Sequence, residues 1–198
     1  TDKVYPTEMV VDQPIESMED FEGLKIRSSG ALQTFLTEAG ASASYIPGGE
    51  LYTALSSGVV DGAHWGAAQG AASMSLYEVA KYHVKPALNI AGTDVFIINQ
   101  KALDKLSPED AKTVKDALNE QFWVRTNEYL YKEQLALANA MAEQDVKITT
   151  LPEDVQNQLT EVAQKSWAEQ GERSDKAAEA LDKLKSMLTR LGYIDENA

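Results

Sequence analysis

Arg27, His64 and Trp65 are the side chains of this chain best suited to recognising a small polar ligand, and a glycine pair, Gly48-Gly49, lies between them. A guanidinium presents a planar fork of donors that matches the two oxygens of a carboxylate, and it stays charged when desolvated. An imidazole donates to or accepts from a carboxylate or hydroxyl. An indole supplies an apolar wall with one N–H at its edge, and glycine lets the backbone approach a ligand closely. This is equipment for holding an acid. Catalysis would need a nucleophile, a base and an orienting group together, and the chain has no cysteine and no Gly-x-Ser-x-Gly elbow.

Each of these residues also has an ordinary structural reading. Arg27 suits a strand-end surface ion pair, which contributes little. His64 suits a structural or surface histidine, and Trp65 simple packing beside small residues. Gly48 and Gly49 suit a turn that needs positive φ. What separates the readings is where the flanking elements place these residues.

Leu24 to Arg27 alternates as a short strand. Leu32, Phe35, Leu36 and Ala39 then follow at helical spacing, with Gly40 at the stop. Residues 43–46 read as a second strand, 50–57 as a helix ended by Gly58, and 59–63 as a third strand. Strand–helix–strand–helix–strand in so short a span implies crossover connections and a parallel sheet. Arg27 to Ser29, Gly48-Gly49 and His64-Trp65 then each fall just beyond the carboxyl end of a strand. In open α/β sheets ligands bind at that edge.

The flanking chain is less informative about chemistry. Residues 14–23 read as a turn and short helix with Ser17 at the N-cap, and 71–82 as a helix that leaves His83 at its end. Val95 to Asn99 reads as a strand. Ser107-Pro108-Glu109-Asp110 is a helix start, and nothing breaks that helix before about Gln144. Its carboxylates read as a solvated face, and Phe122 and Trp123 as core or interlobe packing. Val146, Ile148 and Thr150 alternate as a strand. Helices follow from Pro152 to near Gly171 and along Leu181, Leu184, Leu188 and Leu191.

Composition bounds the function. With 31 acidic against 18 basic residues, the net charge of −13 repels nucleic acid. The absence of cysteine removes thiol catalysis, thiolate zinc sites and disulfides. Two histidines are too few for a His-rich metal centre, and no apolar run is long enough to span a bilayer. The opening TDKVYPTEMVV has no basic-then-apolar leader, so a signal peptide is expected to have been removed.

The segments GLKIRSSG, PGGELYTALSSGVVDGAHW, LYEVAKYH and FIINQKALDKLSPED, in that order, resemble the DctP-type periplasmic substrate-binding proteins of TRAP transporters. The resemblance runs over nearly the whole chain. It implies an α/β, two-lobed periplasmic-binding-protein-like fold with mixed sheets, crossing strands and a long interlobe helix. It also implies that the chain opens at the first interlobe crossing, leaving the first lobe incomplete. Residues 5–90 and 131–160 would form the second α/β lobe. Residues 91–130 and 161–198 would form the remainder of the first lobe with the interlobe and C-terminal helices.

The function so implied is that of a periplasmic receptor, not an enzyme. It binds a small organic acid by lobe closure and delivers it to TRAP membrane permease subunits, with no cofactor, no nucleic acid and no membrane insertion of its own. Arg27 takes the position of the family's carboxylate-binding arginine, and His64 and Trp65 the ligand-facing pair. Family members that use a metal ion have a glutamate where His64 stands, so a hard-cation site loses an oxygen ligand and no metal is expected. The competing readings are an enzyme with His64 as general base and Arg27 as carboxylate clamp, and a helical interaction protein built from Ser107 onward.

Overall fold

The computed structural model describes residues 1–194. Six strands form one mixed sheet: β1 (Lys3–Val11), β2 (Lys25–Arg27), β3 (Ser42–Ser44), β4 (Gly62–His64), β5 (Tyr82–Asp94) and β6 (Lys147–Thr150), in the order β3-β2-β4-β1-β5-β6. β2 runs parallel to both β3 and β4, and β5 parallel to β6. β1 alone runs the other way, antiparallel to β4 and β5. The helices are α1 (Gly30–Glu38), α2 (Gly48–Ser56), α3 (Ala68–Ser73), α4 (Gln100–Leu103), α5 (Pro108–Glu143), α6 (Glu153–Gly171) and α7 (Asp175–Arg190).

Apolar residues on alternate positions of the strands build a core on each face of the sheet. Val10 and Ala63 join Leu51, Ala54, Ala71 and Tyr77 beneath α2 and α3. Their neighbours Met9, Val11 and Ile26 point the other way, into Leu36, Val155 and Leu159 of α1 and α6. Gly62 permits the close approach in the middle: a Cβ there would lie 2.6 Å from Val11 and 2.7 Å from the Val10 carbonyl.

The strand–helix alternation from residue 24 to 64 matches the reading of the sequence. Several other expectations do not hold. Residues 3–11, for which the reading of the sequence assigns no element, form β1, with Pro6 at a register shift between Tyr5 and Thr7 where a missing N–H is tolerated. The expected helix over 71–82 is α3 followed by a 3₁₀ turn (Leu76–Glu78), broken where Ser75 takes φ 56°. His83 is therefore not at a helix end. It lies fully buried in β5, with Nε2 2.6 Å from Glu8 and Nδ1 2.8 Å from the Tyr77 hydroxyl.

β5 runs only to Asp94, and residues 95–99 form no strand. Val95, Phe96, Ile97 and Ile98 are exposed, Ile97 at 91%; an apolar run becomes a strand only where a neighbour accepts its hydrogen bonds. Residues 14–23 hold a single 3₁₀ turn, and Asp20 rather than Ser17 bonds the free N–H groups, accepting from Glu16 and Ser17.

The long helix is as expected. Ser107 accepts from the Asp110 N–H at 3.1 Å, Pro108 opens the first turn, and 36 residues follow, about 54 Å at 1.5 Å per residue. Trp123 is 67% exposed and thus not core among the described residues. One carboxylate of α5 departs from the solvated face: Glu133 is buried.

Candidate ligand-binding site

β2, β3 and β4 end side by side, and the chain leaves each of them on the same rim of the sheet. Arg27 is the last residue of β2, His64 the last of β4, and Trp65 the first beyond it; Gly48 opens α2 after β3. The structure thus brings Arg27, His64, Trp65 and Gly48 together, and Gly49 beside them at the surface.

Arg27 is 5% exposed. Its Nε donates to the Ile46 carbonyl and its Nη1 to the His64 carbonyl, both at 3.0 Å. The guanidinium carbon lies 4.7 Å from the Trp65 ring centroid and 5.8 Å from that of Tyr45. Two backbone carbonyls and two aromatic faces hold the plane of the fork, while no described residue bonds Nη2. Burial lowers the Arg27 pKa from its ordinary value, yet guanidinium remains protonated in proteins. What remains is a pre-oriented cation with free N–H groups, the geometry that accepts a carboxylate.

The imidazole of His64 follows a different path from its carbonyl. Nε2 lies 2.8 Å from Ser28 Oγ, and both residues are buried. Burial, with the Arg27 charge adding to it, lowers the His64 pKa to about 4, so the ring is neutral at neutral pH. The spacing resembles a nucleophile and its base. Ser28, however, is fully buried, and no carboxylate is bonded to Nδ1 among the described residues. The pair is a structural hydrogen bond that fixes the ring.

Gly48 and Gly49 are helical, without positive φ. Gly48 is needed for a different reason: a Cβ there would lie 2.5 Å from the Trp65 ring, so the outer edge of the indole packs against the first turn of α2. Nothing lies within 4 Å of a Cβ on Gly49. Sequence reading missed Tyr45, because the second strand ends at Ser44, two residues earlier than expected. With that boundary, Tyr45 stands just past a strand end, as Trp65 does. It also missed Ser28, which carries no signal beyond its place after Arg27.

No group of three or more His, Asp or Glu side chains among the described residues is arranged to hold a metal ion. With a neutral imidazole turned to Ser28 and a guanidinium alongside, the rim does not supply the oxygen set that a hard cation needs.

Among curated proteins, the chain is 35% identical over 124 residues to the ectoine-binding periplasmic protein TeaA of Halomonas elongata, a match covering 58% of this chain and 35% of that protein. It is 28% identical over 116 residues to the monocarboxylate 2-oxoacid-binding periplasmic protein all3028 of Nostoc, covering 58% of this chain and 32% of that one. A solved structure of the ectoine-binding protein of the Halomonas elongata TeaABC TRAP transporter superposes with a TM-score of 0.82 at 26% identity, covering 94% of this chain and 63% of that chain. The matches thus span about a third of the curated relatives' length and less than two thirds of the solved chain. The structural neighbours are two-lobed TRAP solute-binding proteins, and this α/β chain shares their fold. Matched along residues 7–174, the chain belongs to bacterial extracellular solute-binding protein family 7, the DctP family.

Proposed function

We propose that this chain belongs to an extracytoplasmic receptor that captures a small organic acid by closure of two lobes and passes it to a TRAP-type membrane transporter, without chemical change. The observation that carries the reading is the Arg27 guanidinium, held by two carbonyls and two aromatic rings with Nη2 unbonded. A positive fork fixed before the ligand arrives loses little entropy on binding and selects a planar anion. Trp65 and Tyr45 wall the fork, Gly48 allows the indole its place, and Gly49 leaves the adjoining helix start open. His64, neutral and tied to Ser28, adds a polar group with no competing charge.

The proposal assigns residues 5–90 and 131–160 to the second lobe. Residues 91–130 and 161–198 go to the first lobe with its interlobe and C-terminal helices, the last four residues lying outside those described. The exposed Val95–Ile98 run supports this division, since it would meet the rest of the first lobe. Ligand contacts to both lobes favour the closed form by population shift. The permease subunits would read that closed surface in the periplasm.

Calorimetry with pyruvate, ectoine and, as an uncharged control, pyruvamide tests the reading. The chain is expected to bind at least one carboxylate and not the amide. Arg27→Ala is expected to weaken carboxylate binding by about 2–5 kcal/mol, the cost of removing one partner of a buried charged pair. Equal affinity in Arg27→Ala would overturn the site, and binding of neither acid by the unaltered chain would count against the receptor reading.

A further inference from the structure

We infer that Glu133, on the long helix α5, is a positioning residue for the Arg27–Trp65 site: it holds the start of α3, and with it the loop that carries Trp65. The inference rests on the receptor reading for its ligand arm only.

Of the 36 residues of α5, only Glu133 and Ala140 are buried. Burying a carboxyl is unfavourable unless its oxygens are satisfied, and here only one is. Oε2 accepts from the Gln69 N–H at 3.0 Å, while Oε1 has no partner. The Ala68 N–H and the Tyr129 hydroxyl lie near the same carboxyl and favour its charged form. Gln69 lies in the first turn of α3, four residues after Trp65.

The connection back to Trp65 is rigid. A Cβ on Gly70 would lie 1.7 Å from the Trp65 carbonyl oxygen, so α3 and the Trp65 backbone are in direct contact. Gly66, at φ 72°, leaves a would-be Cβ 3.0 Å from the Tyr129 hydroxyl, and its carbonyl accepts from the Glu8 N–H at 2.8 Å. Trp65 in turn stacks on Arg27. A shift of α5 at Glu133 is therefore passed through α3 to one wall of the Arg27 fork.

Burial raises the Glu133 pKa above the usual carboxylate range; the Gln69 N–H, Tyr129 and the Ala68 N–H oppose this, and Glu8 adds to it. The titratable groups facing Glu133 are Glu8 from β1, Tyr129 from α5 and Tyr77 from the 3₁₀ turn; His83 and Lys85 of β5 bond to Glu8. A carboxyl with a raised folded-state pKa stabilises fully below its unfolded value and loses that contribution as pH rises through the folded one. That dependence belongs to the whole fold; the clamp's own bond, donated by the Gln69 N–H, is stronger when the carboxyl is charged.

Hydrogen exchange of the intact chain at neutral pH tests this, followed on the amides of residues 66–71. In the unaltered chain these amides are expected to be protected. In Glu133→Gln, whose amide oxygen still accepts from the Gln69 N–H, most of that protection is expected to remain. In Glu133→Ala they are expected to exchange about tenfold faster, while the β1–β4 amides stay protected and report an intact fold. Unchanged exchange in Glu133→Ala, or exchange in Glu133→Gln as fast as in Glu133→Ala, would overturn the inference. In calorimetry with pyruvate and ectoine, Glu133→Ala is expected to bind about tenfold more weakly than the unaltered chain. Absence of binding in all three proteins, with the exchange pattern as expected, would remove the ligand reading and leave the clamp standing.

Discussion

Gly48 and Trp65 lie against each other so closely that the smallest side chain on the glycine would enter the indole, at 2.5 Å from its outer ring carbon. Through this contact the first turn of α2 sets the position of the ring that stacks on Arg27. Gly48→Ala is expected to displace the indole and destabilise the fold by about 1–3 kcal/mol, more than the roughly 1 kcal/mol that alanine gains over glycine in a helix. Denaturant unfolding reads the loss. Near-ultraviolet circular dichroism reads the movement of the ring.

His64 gives the stability an acid limb. Its pKa falls from 6.5 to about 4 on folding, so the unfolded chain takes up the proton first as pH drops. The contribution is full above pH 6.5 and lost progressively toward pH 4, and the shift corresponds to roughly 3 kcal/mol. Urea midpoints measured across this range should fall for the unaltered chain and fall less for His64→Gln. A parallel fall in both proteins would show that other groups carry the acid limb.

Glu8 acts in the same direction at lower pH. Burial pushes its pKa up, but hydrogen bonds from His83 and Lys85 outweigh that and hold it below the usual value. Its contribution is present above the ordinary carboxylate pKa and lost as pH falls through the lower folded value. Glu8→Ala leaves buried His83 without its acceptor and is expected to cost about 3–5 kcal/mol. Thermal unfolding at neutral pH measures it.

The Val95–Ile98 run offers a contrast. Ile97 is 91% exposed and Phe96 half exposed, so Ile97→Lys is expected to change the stability of this chain by no more than about 0.5 kcal/mol. Binding of an apolar fluorescent dye should fall at the same time, because the substitution breaks an exposed apolar strip. A stability loss of several kcal/mol would mean that Ile97 is covered in solution.

The α/β alternation from Leu24 to His64, the span of α5 and the rim position of Arg27, Gly48, His64 and Trp65 were all legible in the sequence. Each rests on local rules: apolar periodicity, a Ser-Pro helix start, glycine stops, and the placement of strand ends. What long-range contact decides was not legible. Residues 3–11 carry no clear alternation around Pro6 and become a strand through their partners β4 and β5. Residues 95–99 have the composition of a strand and form none, for want of a neighbour among the described residues. His83 and Glu133 read as surface groups of helices, and only the packing of β1, β5, α3 and α5 buries them. Periodicity along a chain reports which face of an element is apolar, but the partner of a buried charge comes from a distant part of the sequence, and only the folded sheet and helices bring the two together.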